Sequence, residues 1–213
     1  MTRDTSKSTE TRPIGRPSVE DAAKFDEAIM IAARQVLFEQ GEAATVNAVA
    51  QAAGLSRKSV YARYSNRTDL FAAAIRYLLV DVGPVRFEQA DSFEESLFQY
   101  LLATLELVSG KDALTFQRIL ALNPSFVSDL RADMMEATRK IFFSPLVALL
   151  DAAARSGEIA CEDVQDIAGI IIGGALARHV IPDPEAYLAS HQSNEKYARQ
   201  MSRMIAGGLV TSR

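Results

Sequence analysis

The chain has 213 residues, 48% hydrophobic and 23% charged, with 23 Lys/Arg against 27 Asp/Glu and a formal net charge of −4. That size suits one long domain or two short ones with an ordinary core, and the overall charge gives no signal for nucleic acid. The single cysteine, Cys161, rules out an intrachain disulfide, and no apolar run approaches the ~18 residues of a membrane span or makes a signal peptide, so the expected setting is the cytoplasm, away from any membrane.

Residues 1–17 are rich in Ser, Thr, Arg and Pro and read as a flexible basic arm. Within it, Arg12-Pro-Ile-Gly-Arg-Pro is extended and narrow, so Arg16 can enter an A·T-rich minor groove; a solvated leader fits the same residues. Ser18 is placed to cap a first helix, with Asp21 as its box-like partner. Phe25, Ile29, Ala32 and Val36 then recur on one helical face. Gly41 stops that helix. Thr45 caps a second, short helix through Ala53, Gly54 breaks it, and Ser56 caps a third to about Tyr64. Asn66 caps a fourth, with Asp69 at the reciprocal position, running to Val82 before Gly83-Pro84.

No later segment carries strand periodicity with turn chemistry. Helices are predicted over Phe93–Ser109, Asp112–Leu122, Phe126–Arg155, Glu162–His179 and Ser193–Gly207. Pro145 should kink or divide the third of these. The fold class is therefore all-α: an N-terminal three-helix head with a helix-turn-helix, a linking fourth helix, and a larger C-terminal helical bundle. The corresponding divisions are 1–17, 18–82 and 83–213.

Charge is unevenly distributed. Residues 1–80 carry 11 Lys/Arg and 9 Asp/Glu, whereas residues 81–213 carry 12 and 18. Between Leu55 and Arg76 stand Arg57, Lys58, Arg63, Arg67 and Arg76 against Asp69 alone. One end can face a polyanion and the other should not. In the run from Thr45 to Tyr61, Val46, Val49, Ala50, Ala53 and Val60 face inward, Gly54 makes the turn and Leu55 plugs it. Arg57, Lys58, Ser59, Tyr61 and Arg63 are left outward, on a short helix suited to a major groove.

These residues resemble the N-terminal domain of the TetR family of bacterial one-component regulators. The resemblance runs from Ile29 to Ile75. It is carried by Leu37-Phe38 before Gly41, by Thr45-Val-x-x-Val-Ala-x-x-Ala-Gly-Leu-Ser, by Val60-Tyr61, and by Tyr64-Ser-Asn-Arg-Thr-Asp-Leu-Phe. It implies that Thr45, Tyr61 and Arg67 contact phosphate and that Arg57, Lys58 and Ser59 approach base edges, with Arg63 and Tyr64 in the same surface. Lys58 stands where the family often has Gly or Ala, and Arg63 where it often has His, Tyr or Asn. Which of the three reads bases therefore stays open.

Behind the head, the Glu162–His179 segment is apolar nearly all round and the last helix has an apolar face. Ile167, Ile170, Ile171, Gly174, Tyr197, Met201, Met204 and Ile205 are the expected homodimer interface, a four-helix bundle with a second copy. The middle helices carry surplus apolar bulk. The resemblance implies that some of it lines a cavity for an unknown small, largely apolar effector, with Leu101, Leu105, Phe116, Gln117, Leu120, Phe142, Phe143 and Leu146 as the candidates.

No nucleophile motif, metal-ligand spacing or phosphate-cradling loop is found, and the two histidines, His179 and His191, lie at or beyond a helix end. No catalytic residue, metal or cofactor is expected. The reading is a ligand-responsive regulator, a repressor binding a pseudo-palindromic double-stranded DNA operator as a dimer. The alternative is an all-α small-molecule binding module without a DNA role.

Overall fold

The computed structural model describes residues 19–122, 128–177 and 193–209, which contain helices and turns and no β-strand. Arg16, the arm and the Ser18 cap lie outside these residues, as do His179 and His191. The helices are α1 (Val19–Gln40), α2 (Val46–Ala52), α3 (Arg57–Tyr61), α4 (Arg67–Asp81), α5 (Phe93–Ser109), α6 (Lys111–Leu122), α7 (Arg131–Thr138), α8 (Ser144–Arg155), α9 (Val164–Ala177) and α10 (Asn194–Leu209).

The head begins and ends its helices where the side chains dictate. Gly41 takes φ +55° and turns the chain out of α1. Thr45 Oγ1 accepts from the Ala48 N–H at 3.1 Å, Ser56 Oγ from the Ser59 N–H at 3.1 Å, and Asn66 Oδ1 from the Asp69 N–H at 2.9 Å. Each satisfies one donor that a helix start leaves unpaired. Gly54, at φ +67°, makes the turn between α2 and α3. α3 ends at Tyr61, short of the expected Tyr64. The N–H groups of Arg63 and Tyr64 both bond the Val60 carbonyl, so the chain tightens there before α4.

The stretch expected as one helix to Arg155 is divided, though Pro145 does not kink it. A π-turn, Arg139–Phe143, separates α7 from α8, and Pro145 falls in the first turn of α8, where its missing N–H matters least. The Ser144 N–H reaches back five residues to the Arg139 carbonyl. Pro145 cannot donate to the carbonyl four residues before it, that of Ile141. The Val85 N–H takes that acceptor at 2.9 Å, and the Tyr100 hydroxyl donates to the next carbonyl, Phe142, at 2.9 Å. Two acceptors at this irregularity thus hold the segment after α4 and the middle of α5.

Two apolar cores result. The first joins Ile29, Val36 and Leu37 of α1 to Val49, Val60, Leu70, Phe71 and Ile75. It also takes Ile119 from α6 and Leu130 from the turn before α7, with Phe116, Leu120 and Met134 packed against it. The second holds Phe93, Leu97, Tyr100, Leu101 and Leu105 of α5, Leu146 and Leu150 of α8, Ile171 and Ile172 of α9, and Ala198 and Ala206 of α10. The N-terminal core therefore draws residues from beyond position 82.

Candidate nucleic-acid interface

Thr45, Arg57, Lys58 and Tyr61 are exposed on α2, α3 and their leading turn, while Val46, Val49, Ala50 and Val60 beneath them are buried. The Arg57 guanidinium lies 5.3 Å from the centre of the Tyr61 ring, which stiffens two long side chains on one face. Ser59 is only half-exposed, and its hydroxyl is 2.8 Å from that of Ser56. The cap thus occupies a hydroxyl that the sequence offered as a base reader.

Two of the expected DNA contacts are cations that also hold partners within the head. Arg63 is ion-paired through Nε to Asp26 of α1, and its guanidinium stands 6.0 Å from the Phe25 ring centre. Arg67 donates from Nε to the Ala44 carbonyl at 2.7 Å and from Nη2 to the Glu42 carbonyl at 2.9 Å. It binds the turn ahead of α2. Tyr64 is half-buried against the head core; burial first, then Asp26, raises its phenol pKa, and Arg63 opposes the shift. Sequence reasoning missed Asp26 because the pair spans 37 positions and no local spacing signals it. It also left out Asn47 and Gln51, the exposed polar residues of α2.

The candidate effector residues do not gather around one space. Leu101, Leu105 and Leu146 are fully buried in the second core, with Phe142 and Phe143 packed against it. Phe116 and Leu120 belong to the first core, which removes them from that group, and Gln117 Nε2 donates to the Val108 carbonyl at 3.3 Å. An open cleft of about 340 Å³ lies elsewhere, between Val82–Arg86 and Ala103 and Leu107 of α5. Inside the second core, burial pushes the Tyr100 phenol up to about 12. Thr104 Oγ1 is wholly buried beside it without a hydrogen bond of good geometry.

Of the expected dimer residues, Ile170 and Met204 are 70% and 64% exposed. Gly169, Gly173 and Ala177 share the open face of α9 with Ile170, and Gly207 and Gly208 lie open beside Met204 on α10. Ile167, Gly174, Tyr197, Met201 and Ile205 are half-buried, and the Tyr197 hydroxyl donates to the Gly174 carbonyl at 3.2 Å. Ile171 is 1% exposed and is a residue of the subunit's own core, a correction the all-round apolarity of α9 concealed. Among the described residues, no group of three His, Cys, Asp or Glu is placed to hold a metal ion, and no helix is long and apolar enough to cross a membrane.

The capped helices α2 and α3 and the turn at Gly54 between them form a helix-turn-helix. The model of the bacterial regulatory proteins of the tetR family matches residues 29–74. The transcriptional repressor BepR of Brucella suis is 27% identical over 176 residues, covering 73% of this chain and 80% of that protein. Residues 29–74 are thus similar to the DNA-binding domain of that family, and the chain is similar to a transcriptional repressor over most of its length. Its fold is shared by a Mesorhizobium loti protein assigned to TetR-family transcriptional regulators (TM-score 0.69, 17% identity, 89% of this chain and 98% of that one). It is shared too by the flavonoid-responsive regulator FrrA (TM-score 0.64, 20% identity, 90% and 100%).

Proposed function

We propose that the chain is a dimeric repressor that binds a pseudo-palindromic operator and is released by a small, largely apolar effector. The observation that carries the DNA role is the exposure of Arg57 and Lys58 at the start of α3, flanked by Thr45 and Tyr61, over a wholly apolar support. Helix starts with cationic and hydroxyl groups suit base edges and phosphate together. Two such heads, held about 34 Å apart, fit successive major grooves. The apolar, glycine-lined faces at Ile170 and Met204 support pairing through α9 and α10, since small residues let helix backbones approach closely. For the effector we favour the second core beside Tyr100 and Thr104, because a buried hydroxyl without a well-aligned hydrogen bond is costly and a ligand acceptor would relieve it.

The test is Arg57→Ala with Lys58→Ala in the full chain. We expect loss of binding to a duplex selected from a random pool by the wild type, with the helical circular dichroism and melting curve unchanged. A wild-type chain that captures no duplex, even at low salt, sinks the regulator reading in favour of an all-α binder.

A further inference from the structure

Arg67 opens α4, and a cation at a helix start is opposed by the helix dipole. The start of α4 is already supplied by Asn66 and Asp69, so Arg67 serves something else. Its fork spans the carbonyls of Ala44 and Glu42, and its guanidinium carbon lies 5.2 Å from the centre of the fully buried Phe71 ring. Those carbonyls belong to the turn that leaves α1, where a helix end leaves acceptors unpaired. Ala44 is itself buried and directly precedes Thr45, the cap of α2.

From this geometry we propose that Arg67 is a positioning residue of the DNA-binding head. It holds the 42–44 turn so that Thr45 and the start of α2 are fixed before DNA arrives, and it does not itself neutralise a phosphate. The proposal rests on the DNA-binding reading above for its functional consequence. The clamp itself is a property of the free protein. A planar guanidinium meets both carbonyls with two N–H groups of one fork while close to an aromatic ring, and a lysine ammonium has neither the fork nor the plane. The residues carrying the clamp come from two separate segments, so α4 and the start of α2 move as one piece. That makes Arg67 a point where a shift of α4 reaches the reading surface.

The experiment compares wild type, Arg67→Gln and Arg67→Lys as full chains. Binding to one fixed duplex, selected by the wild type, is followed from 50 to 200 mM salt, and amide exchange over residues 42–48 is measured without DNA. We expect both variants to bind about tenfold more weakly, the effect of losing a charged hydrogen bond, with an unchanged slope of log affinity against log salt. We also expect faster exchange at 42–48 in both. A slope lower by about 0.9 for each lost contact, with rescue by Arg67→Lys, overturns the proposal in favour of a phosphate anchor. Unchanged exchange at 42–48 overturns it too, and that arm reads the clamp even if the chain binds no duplex.

Discussion

Leu130 sits in the turn before α7, wholly buried, yet its contacts are with the N-terminal core. Truncation of Leu130→Ala removes apolar volume from a site enclosed on one side by the head helices. A buried Leu→Ala change costs about 2 to 5 kcal/mol, which at equilibrium accelerates exchange through the affected opening by about 30- to 5000-fold. The expected result is that amides of Ile29–Leu37 in α1 and Leu70–Ile75 in α4 lose protection, although the substitution lies at least 93 and 55 residues away from them in the chain. A control is available in Asp133→Asn, which removes the exposed ion pair to Arg76 of α4, 2.8 Å long. Exposed pairs of this kind contribute under about 1 kcal/mol, so the control should barely move the same amides. Hydrogen–deuterium exchange with mass spectrometry reads both variants peptide by peptide. If α6 and α7 alone lose protection while α1 and α4 stay as in wild type, then Leu130 does not support the head and the shared core is wrong.

Two further outcomes concern the second core and the open helix faces. Tyr100→Phe removes the donor to the Phe142 carbonyl and should cost about 1 kcal/mol, a melting shift of about 2–4 °C for a chain of this size. In the wild type, one tyrosine should ionise near 12 in an ultraviolet titration; since the folded pKa lies above the ordinary 10.0, stability complete below that value should decline as pH rises toward 12. An unaltered melting point in the phenylalanine variant argues against the bond. Ile170→Asp combined with Met204→Glu should yield monomers by light scattering, with helicity retained, because both side chains are largely exposed in the single chain. Dimers that persist at micromolar concentration place the interface elsewhere.

The head was legible in the sequence because its determinants are local. Caps at Thr45, Ser56 and Asn66 and turns at Gly41 and Gly54 act over three or four residues, and each is where the sequence pattern placed it. The site was legible only in part. Exposure of Arg57 and Lys58 follows from helical periodicity, whereas the partners of Arg63 and Arg67 are Asp26 and the carbonyls at 42 and 44, and backbone acceptors leave no mark in composition. The same limit applies to the bundle. Periodicity marks Phe116 and Leu101 alike as apolar, and nothing local assigns them to different cores. On α9, apolar residues on every face hide which of Ile170 and Ile171 looks outward.

The π-turn at Arg139–Phe143 can also be read as a matter of chain length. A π-turn is what remains when a helix absorbs one residue more than its hydrogen-bond ladder accommodates. Deleting one residue there would restore an unbroken α-helix, but each residue turns the helix by about 100° and advances it by about 1.5 Å. Leu146, Leu149 and Leu150 would then rotate away from the core they now fill, and the carbonyls that receive Val85 and Tyr100 would shift relative to those donors. The extra residue is thus held in place by the packing of α8 downstream. An aligned relative with a plain helix here should need a one-residue gap at 139–143, together with a different residue at the position of Pro145 or a different anchor for the chain leaving α4.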